Sequence, residues 1–306
     1  MQKITLGATE ILSFTDTIGD FPLKLLFPDI QAEQWFSYQG ASRGQSLTGE
    51  ETVPTRIGAF VVRSPESVIL VDTGLGLGAI TTPPAEATSR VRQLFSGLPV
   101  KLLDELEEAG IKPDDIDIVF LTHPHFDHYG WNLTAEGKPM FARATYLLSQ
   151  TDWDAYQHPS MPYPMRWGVQ QFIEPLKQSG KLNLLSGRQV IAQGLSALPT
   201  PGHSPGHMSL LIEDGGQQVV MGGDTFVHPL QIVSAEMSFI VDMDRVQATE
   251  TRKQLREWIA QEGIILASNH IEGSGMGRII QDGREYRWQP IEIAGVLDKA
   301  NLPPMR

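Results

Sequence analysis

The chain has 306 residues, 41% hydrophobic and 20% charged, with a formal charge of −12. That charge repels phosphate backbones and argues against nucleic acid as a partner. The absence of cysteine excludes disulfides, thiolate metal ligands and a cysteine nucleophile.

Taken in chain order, residues 1–56 show the least regular pattern and read as an N-terminal arm or lid. The opening residues lack the apolar region of a secretory signal. No stretch reaches the roughly 20 consecutive apolar residues of a membrane helix. A soluble, cytoplasmic protein is the expectation. Ala59–Gly74 reads as two strands around a Ser-Pro turn, the second ending at Asp72-Thr73-Gly74. Val100–Gly110 places Leu102, Leu103 and Leu106 on one helical face and ends on glycine. Asp115–His123 is a buried-strand pattern, and Thr145–Gln150 is a further short strand. The stretch Asp152–Lys181 reads as interrupted helix, with the proline-rich Gln157–Met165 as a loop.

The second half repeats the style. Leu195–His203 is a strand and turn, and Met208–Asp224 is a hairpin on Asp-Gly-Gly. Asp244–Gly263 is a helix, with Asp244 and Gln247 forming a capping box, Leu255, Trp258 and Ile259 on one face, and Gly263 ending it. Ile264–His270 is a strand, and Arg278–Ile291 a hairpin on Asp-Gly. Strand–helix–strand units in both halves predict sheets covered by helices, an αββα sandwich, with residues 1–306 forming a single domain.

The stretch "LTHPHFDHYGWN" holds His123, His125, Asp127 and His128, in a chain with eight histidines. In an extended segment residues i and i+2 point the same way, so His123 and His125 can converge. Asp127 and His128 are expected where the chain turns into a helix start. Imidazole and carboxylate are the zinc-type ligands left when thiolates are absent. Four such groups exceed what one tetrahedral ion with an open position needs. Two ions, roughly 3.5–4 Å apart, account for them more simply. Further ligands are then required, and His203, Asp224 and His270 each stand where an apolar run stops. The plainer alternative is histidines clustered by chance, with Asp224 as a turn residue.

These motifs, together with "VILVDTG", resemble the metallo-β-lactamase superfamily, and within it the branch of quorum-quenching lactonases and methyl parathion hydrolase. The resemblance covers about Ala59 to His270. It implies a four-layer αββα fold and two divalent ions, zinc first, with iron, manganese or cobalt also compatible. His123, His125 and His203 would bind one ion, Asp127, His128 and His270 the other, with Asp224 bridging. A hydroxide held between the ions, served by Asp127 and Asp224, would attack the substrate. Asp72 would orient a ligand histidine from behind, and His207 would be a hydrogen-bonded structural neighbour. The activity implied is hydrolysis of a lactone or aryl ester. The alternatives are an organophosphate triester hydrolase, a glyoxalase-II-like thioesterase, and a metal-bound binding protein without turnover. A homodimer built with the N-terminal arm also rests on the resemblance.

Two departures stand out. Tyr129 and Trp131 occupy positions where many relatives have small residues, and no tyrosine lies between His203 and Asp224, where lactonases of this type can carry one. Trp131, Phe226 and His228 are candidates for the substrate pocket. Trp35, Phe36, Trp167 and Phe239 are weaker ones, since aromatic residues more often fill cores. His158 reads as a loop residue. Substrate choice is expected to lie with the N-terminal arm and Asp152–Lys181.

Overall fold

Successive residues of Ala59–Val62 belong to two different cores: Phe60 and Val62 join one, Ala59 and Val61 the other. Side chains alternate along a strand, so a strand buried on both faces must be an inner layer. The structure, a computed structural model, describes residues 2–31, 44–45, 51–77, 85 and 93–291.

The first sheet comprises β1 (Gln2–Leu6), β2 (Thr9–Pro22), β3 (Gly44–Gln45), β4 (Glu51–Arg63), β5 (Val68–Val71), β6 (Ile118–Phe120), β7 (Thr145–Ser149) and β8 (Leu182–Leu185). Its order is β1-β2-β4-β5-β6-β7-β8, with β3 on β4. It is antiparallel up to β5 and parallel from β5 to β8. The second sheet comprises β9 (Gln189–Ala192), β10 (Leu195–Pro199), β11 (Met208–Asp214), β12 (Gln217–Met221), β13 (Ile265–Ala267), β14 (Met276–Asp282) and β15 (Glu285–Pro290). These run in the order β15-β14-β13-β12-β11-β10-β9, with β12 and β13 parallel.

The helices are α1 (Leu23–Leu26), α2 (Leu102–Glu108), α3 (Gln150–Gln157), α4 (Tyr163–Phe172), α5 (Glu174–Gln178), α6 (Pro229–Val233) and α7 (Arg245–Glu262). Between the sheets, Phe60, Val62, Ile69, Val71 and Phe120 meet Leu210, Ile212, Val219, Met221 and Ile265. The outer face of the first sheet packs on Leu102, Leu106, Val169, Phe172 and Leu176 of the helices. The outer face of the second packs Leu211, Val220 and Leu266 on Leu255 and Ile259 of α7. This is the expected four-layer αββα order. Each fully buried aliphatic side chain contributes about 1.5–3 kcal/mol of transfer free energy to it.

Three local expectations change. Residues 2–22 form a hairpin of two strands, β1 and β2, with a bulge where the register of β2 on β4 shifts between Thr15 and Thr17. The loop after α3 ends sooner than expected, because Pro164 sits in the first turn of α4, where a missing N–H costs nothing. At α7, the Asp244 carboxylate accepts from the Gln247 N–H at 2.9 Å, but the Gln247 side chain turns to Thr251. The capping box is therefore half formed, and Gly263 closes the helix at φ 65° as expected.

Candidate metal centre

All seven predicted ligands come together at one end of the sandwich. His123, His125, Asp127 and His128 follow β6 of the first sheet. His203, Asp224 and His270 follow β10, β12 and β13 of the second. His123, His125, His203 and Asp224 form one set able to hold a metal ion, and Asp127, His128 and His270 a second. The segment after β6 forms a turn and not the expected helix start. The His128 N–H donates to the His125 carbonyl, while Thr73 captures the His128 carbonyl at 2.8 Å and takes it out of a helical path.

Asp224 lies between the sets. Its Oδ2 is 3.2 Å from His203 Nε2 and 3.9 Å from His123 Nε2. Its Oδ1 is 2.9 Å from His270 Nε2 and 3.2 Å from His128 Nε2. Asp127 Oδ2 is 3.6 Å from His270 Nε2.

Hydrogen bonds on the far side of each ring decide which nitrogen carries the proton. His128 Nδ1 faces Asp72 Oδ2 at 2.9 Å, His203 Nδ1 faces Asp242 Oδ1 at 3.1 Å, and His270 Nδ1 faces the Arg56 carbonyl at 2.8 Å. These oxygens can only accept, so each Nδ1 carries hydrogen and, in the neutral ring, each Nε2 presents a lone pair. The Thr122 hydroxyl donates to Asp72 and so accepts from His123 Nδ1 at 3.0 Å, which leaves His123 Nε2 as the lone pair too. These lone pairs face one another and Asp224. His203 Nε2 is 3.2 Å from His123 Nε2 and 2.9 Å from His125 Nδ1. His128 Nε2 and Asp224 Oδ1 are buried with no hydrogen-bond partner. Buried acceptors pointed at acceptors are costly, and positive charge between them removes the cost, whether protons on the imidazoles or a metal cation. The residues therefore fit divalent metal.

The electrostatics agree. Burial pushes His123 and His125 well below the usual histidine range, which keeps them neutral. Burial also opposes charge on His128 and His270, but Asp224, with Asp72 and Asp127 on His128 and Asp127 on His270, overrides it and raises both. Burial opposes charge on Asp224 as well, yet His270, His128 and His203 hold its carboxyl well below the carboxylate range. Protons thus collect where a metal cation would sit.

Asp72 adopts φ 59°, the one positive value among the described non-glycine residues. Its carboxylate accepts from Thr122 N and Oγ1, His128 Nδ1 and Asn269 Nδ2, at 2.8 to 3.0 Å. Four donors hold a conformation that costs about 1–3 kcal/mol. His207 is buried, with its Nε2 accepting from the Asp224 N–H at 3.1 Å and its Nδ1 beside Thr200 Oγ1 at 2.8 Å. Burial drops its pKa to about 3, so it stays a neutral acceptor.

A cavity of about 190 Å³ opens beside the candidate ligands. It is lined by His125, Asp127, Asp224 and His270, and by apolar residues that include Leu26, Phe95, Phe126, Met165, Phe239 and Val241. Leu26 and Met165 come from the two segments expected to shape it, and Phe239 and Tyr129 also line it. Three expected pocket residues lie elsewhere. The Trp131 indole donates to Asp16 at 3.2 Å. Phe226 is fully buried in the core beneath α7. His228 caps α6 by accepting from the Leu230 N–H. Trp167 belongs to the outer core of the first sheet, and His158 faces Ser160 in its loop. Trp35 and Phe36 lie outside the described residues.

Sequence reasoning missed Thr122, Asn269, Asp242, Arg56 and Asp16. Thr122 and Asn269 each precede a ligand, and alternation could have placed them behind the site. Asp242 and Asp16 lie far from their partners in sequence and carry no spacing signal.

Residues 54–262 match the model of the Metallo-beta-lactamase superfamily, and the chain belongs to that superfamily. Among its relatives, an N-acyl homoserine lactonase of Bacillus cereus is 24% identical over 233 residues, covering 75% of this chain and 87% of the lactonase. The hydrolase AbOPH of the beta lactamase superfamily superposes with a TM-score of 0.80 at 25% identity, over 96% of this chain and 98% of its own. AidC, a dizinc quorum-quenching lactonase, gives the same TM-score and coverage at 21% identity. No helix among the described residues is long and apolar enough to cross a membrane.

Proposed function

We propose that the chain is a two-metal hydrolase of lactones or esters. His123, His125 and His203 hold one divalent ion, Asp127, His128 and His270 hold the other, and Asp224 serves both. Zinc is the first choice. The observation that carries this reading is the Asp224 carboxylate, which presents one oxygen to each set of ligands. The similarity to lactonases supports the lactone or ester as substrate.

Bound ions of this kind lower the pKa of water and polarise a carbonyl. The chain supplies the rest. Asp72, Asp242 and the Arg56 carbonyl hold the imidazoles with their lone pairs inward. The apolar walls exclude water and take the acyl or aryl part of the substrate.

The test is a panel of N-hexanoyl homoserine lactone, p-nitrophenyl butyrate and paraoxon, run on the zinc-loaded chain and on His123→Ala and Asp224→Asn. Turnover of the lactone or ester is expected, with a loss on the order of 1,000-fold in either variant. Preference for paraoxon would replace acyl with phosphoryl chemistry. A zinc-loaded chain that turns over none of the three sinks the enzyme reading.

A further inference from the structure

One carboxylate joins the ligand cluster to the cavity wall. Asp242 Oδ1 accepts from His203 Nδ1 at 3.1 Å. Its Oδ2 accepts the Phe239 backbone N–H at 2.9 Å. Phe239 lines the cavity, and its ring stacks on that of His203, with centroids 6.0 Å apart and planes at 19°. Val241, between Phe239 and Asp242 in sequence, lines the same wall.

Behind Asp242 stands Arg252 of α7, only 1% exposed. Its Nη1 donates to Asp242 Oδ2 at 3.1 Å, and its Nε donates to the Ala235 carbonyl at 3.0 Å. A single guanidinium thus pins both ends of segment 235–242, which carries the wall. The planar fork of arginine can serve two acceptors in fixed directions, whereas the point charge of lysine cannot do so with the same geometry. Desolvation offsets most of the attraction in a buried ion pair. Net stability alone is therefore a weak reason for this one.

We propose that Arg252 is a positioning residue that sets the aim of His203 through Asp242, and the place of Phe239 through Asp242 and Ala235 together. Loss of both guanidinium contacts then changes metal affinity on the His203 side and acceptance of long apolar substrates together. This rests on the proposed function, in which His203 holds metal and the cavity holds the apolar part of the substrate. A pair that only supported the fold would, on removal, lower stability and leave both properties of the folded protein unchanged.

The experiment compares the full chain with Arg252→Met and Arg252→Lys. Each is stripped of metal, titrated with cobalt(II) by visible absorption, and assayed for kcat and KM on p-nitrophenyl acetate and octanoate. Arg252→Met is expected to weaken one cobalt equivalent by about tenfold or more, in line with losses of partners behind metal ligands. It is also expected to raise the octanoate-to-acetate KM ratio by roughly fivefold, with kcat changing less. Arg252→Lys keeps a cation for Asp242 but releases Ala235, so cobalt affinity recovers while the chain-length preference does not. If Arg252→Met fails to fold, this split in Arg252→Lys carries the test alone. Folded variants in which cobalt affinity and the KM ratio both stay at wild-type values overturn the proposal, as does Arg252→Met shifting one without the other. A wild-type chain that binds cobalt but cleaves neither ester counts against the substrate reading, and the cobalt titration still decides Arg252. A wild-type chain that binds no cobalt overturns both.

Discussion

Arg56 carries its charge into the interior with neutral oxygens around it. Its guanidinium donates to Thr15 Oγ1, Ser13 Oγ and the carbonyls of Phe14, Ser268 and Asn269. Burial lowers its pKa to about 10, with Glu105 opposing the fall, so it stays charged at neutral pH. The same residue offers its carbonyl to His270. Arg56 therefore ties β4 to the loop that presents a predicted ligand. The guanidinium needs the space left by Gly58, where an added Cβ would lie 2.2–2.4 Å from it. Gly58→Ala is expected to cost about 1–3 kcal/mol or more, as overpacking in a rigid core does. Urea unfolding measures this, and a wild-type midpoint would contradict it. The candidate ligands stood out in the sequence because four are dense and the other three stand where an apolar run stops. Arg56 did not, because nothing in "TRIG" announces acceptors that come from residues as distant as Ser268 and Asn269.

Elements with a clear period were read correctly, and those that break period for a tertiary reason were not. β2 carries Asp16 at its bulge, fully buried. That carboxylate accepts from the N–H groups of Leu75, Gly76, Lys101 and Leu102 and from the Trp131 indole. A charged residue mid-strand hides the alternation, and its donors lie beyond any local window. The same carboxylate holds the Trp131 indole, which is not part of the cavity lining. At α3, Asp152 accepts from Ser204 Oγ and Gly206 N, both at 2.7 Å, and holds the loop that carries His203. Burial raises its pKa from 3.8 to about 6, against the pull of those two donors. A carboxyl raised on folding destabilises the folded state as pH climbs from its unfolded value through its folded one. Asp152→Asn keeps both contacts if the Ser204 hydroxyl reverses, and it cannot ionise. The metal-free variant should gain stability over the wild type between about pH 4 and 7, approaching about 3 kcal/mol. Denaturant titrations at pH 4.5 and 7.5 check this. A difference that does not change with pH would contradict it.

At the scale of the molecule, the four layers were legible because strands buried on both faces and amphipathic helices alternate in both halves. The cavity was legible only in two expected segments, which contribute α1 and the start of α4; the turn after β6 and segment 235–242 join them only in three dimensions. Each predicted ion would be held by residues that follow different sheets, His123 and His125 with His203 on one side, Asp127 and His128 with His270 on the other. Metal would then fasten the two sheets together. Chelation is expected to remove about 4 kcal/mol for each site held at 1,000 times its Kd, about 8 kcal/mol for two, a fall in Tm of roughly 20 °C, restored by zinc. A Tm unmoved by chelator would show that the cluster needs no cation. The central claim is that two ions sit on either side of Asp224. Anomalous diffraction from zinc-loaded crystals measures that most directly. Two peaks roughly 3.5–4 Å apart, one beside His123, His125 and His203 and one beside Asp127, His128 and His270, are predicted. A single peak, or none among these seven side chains, would contradict the account.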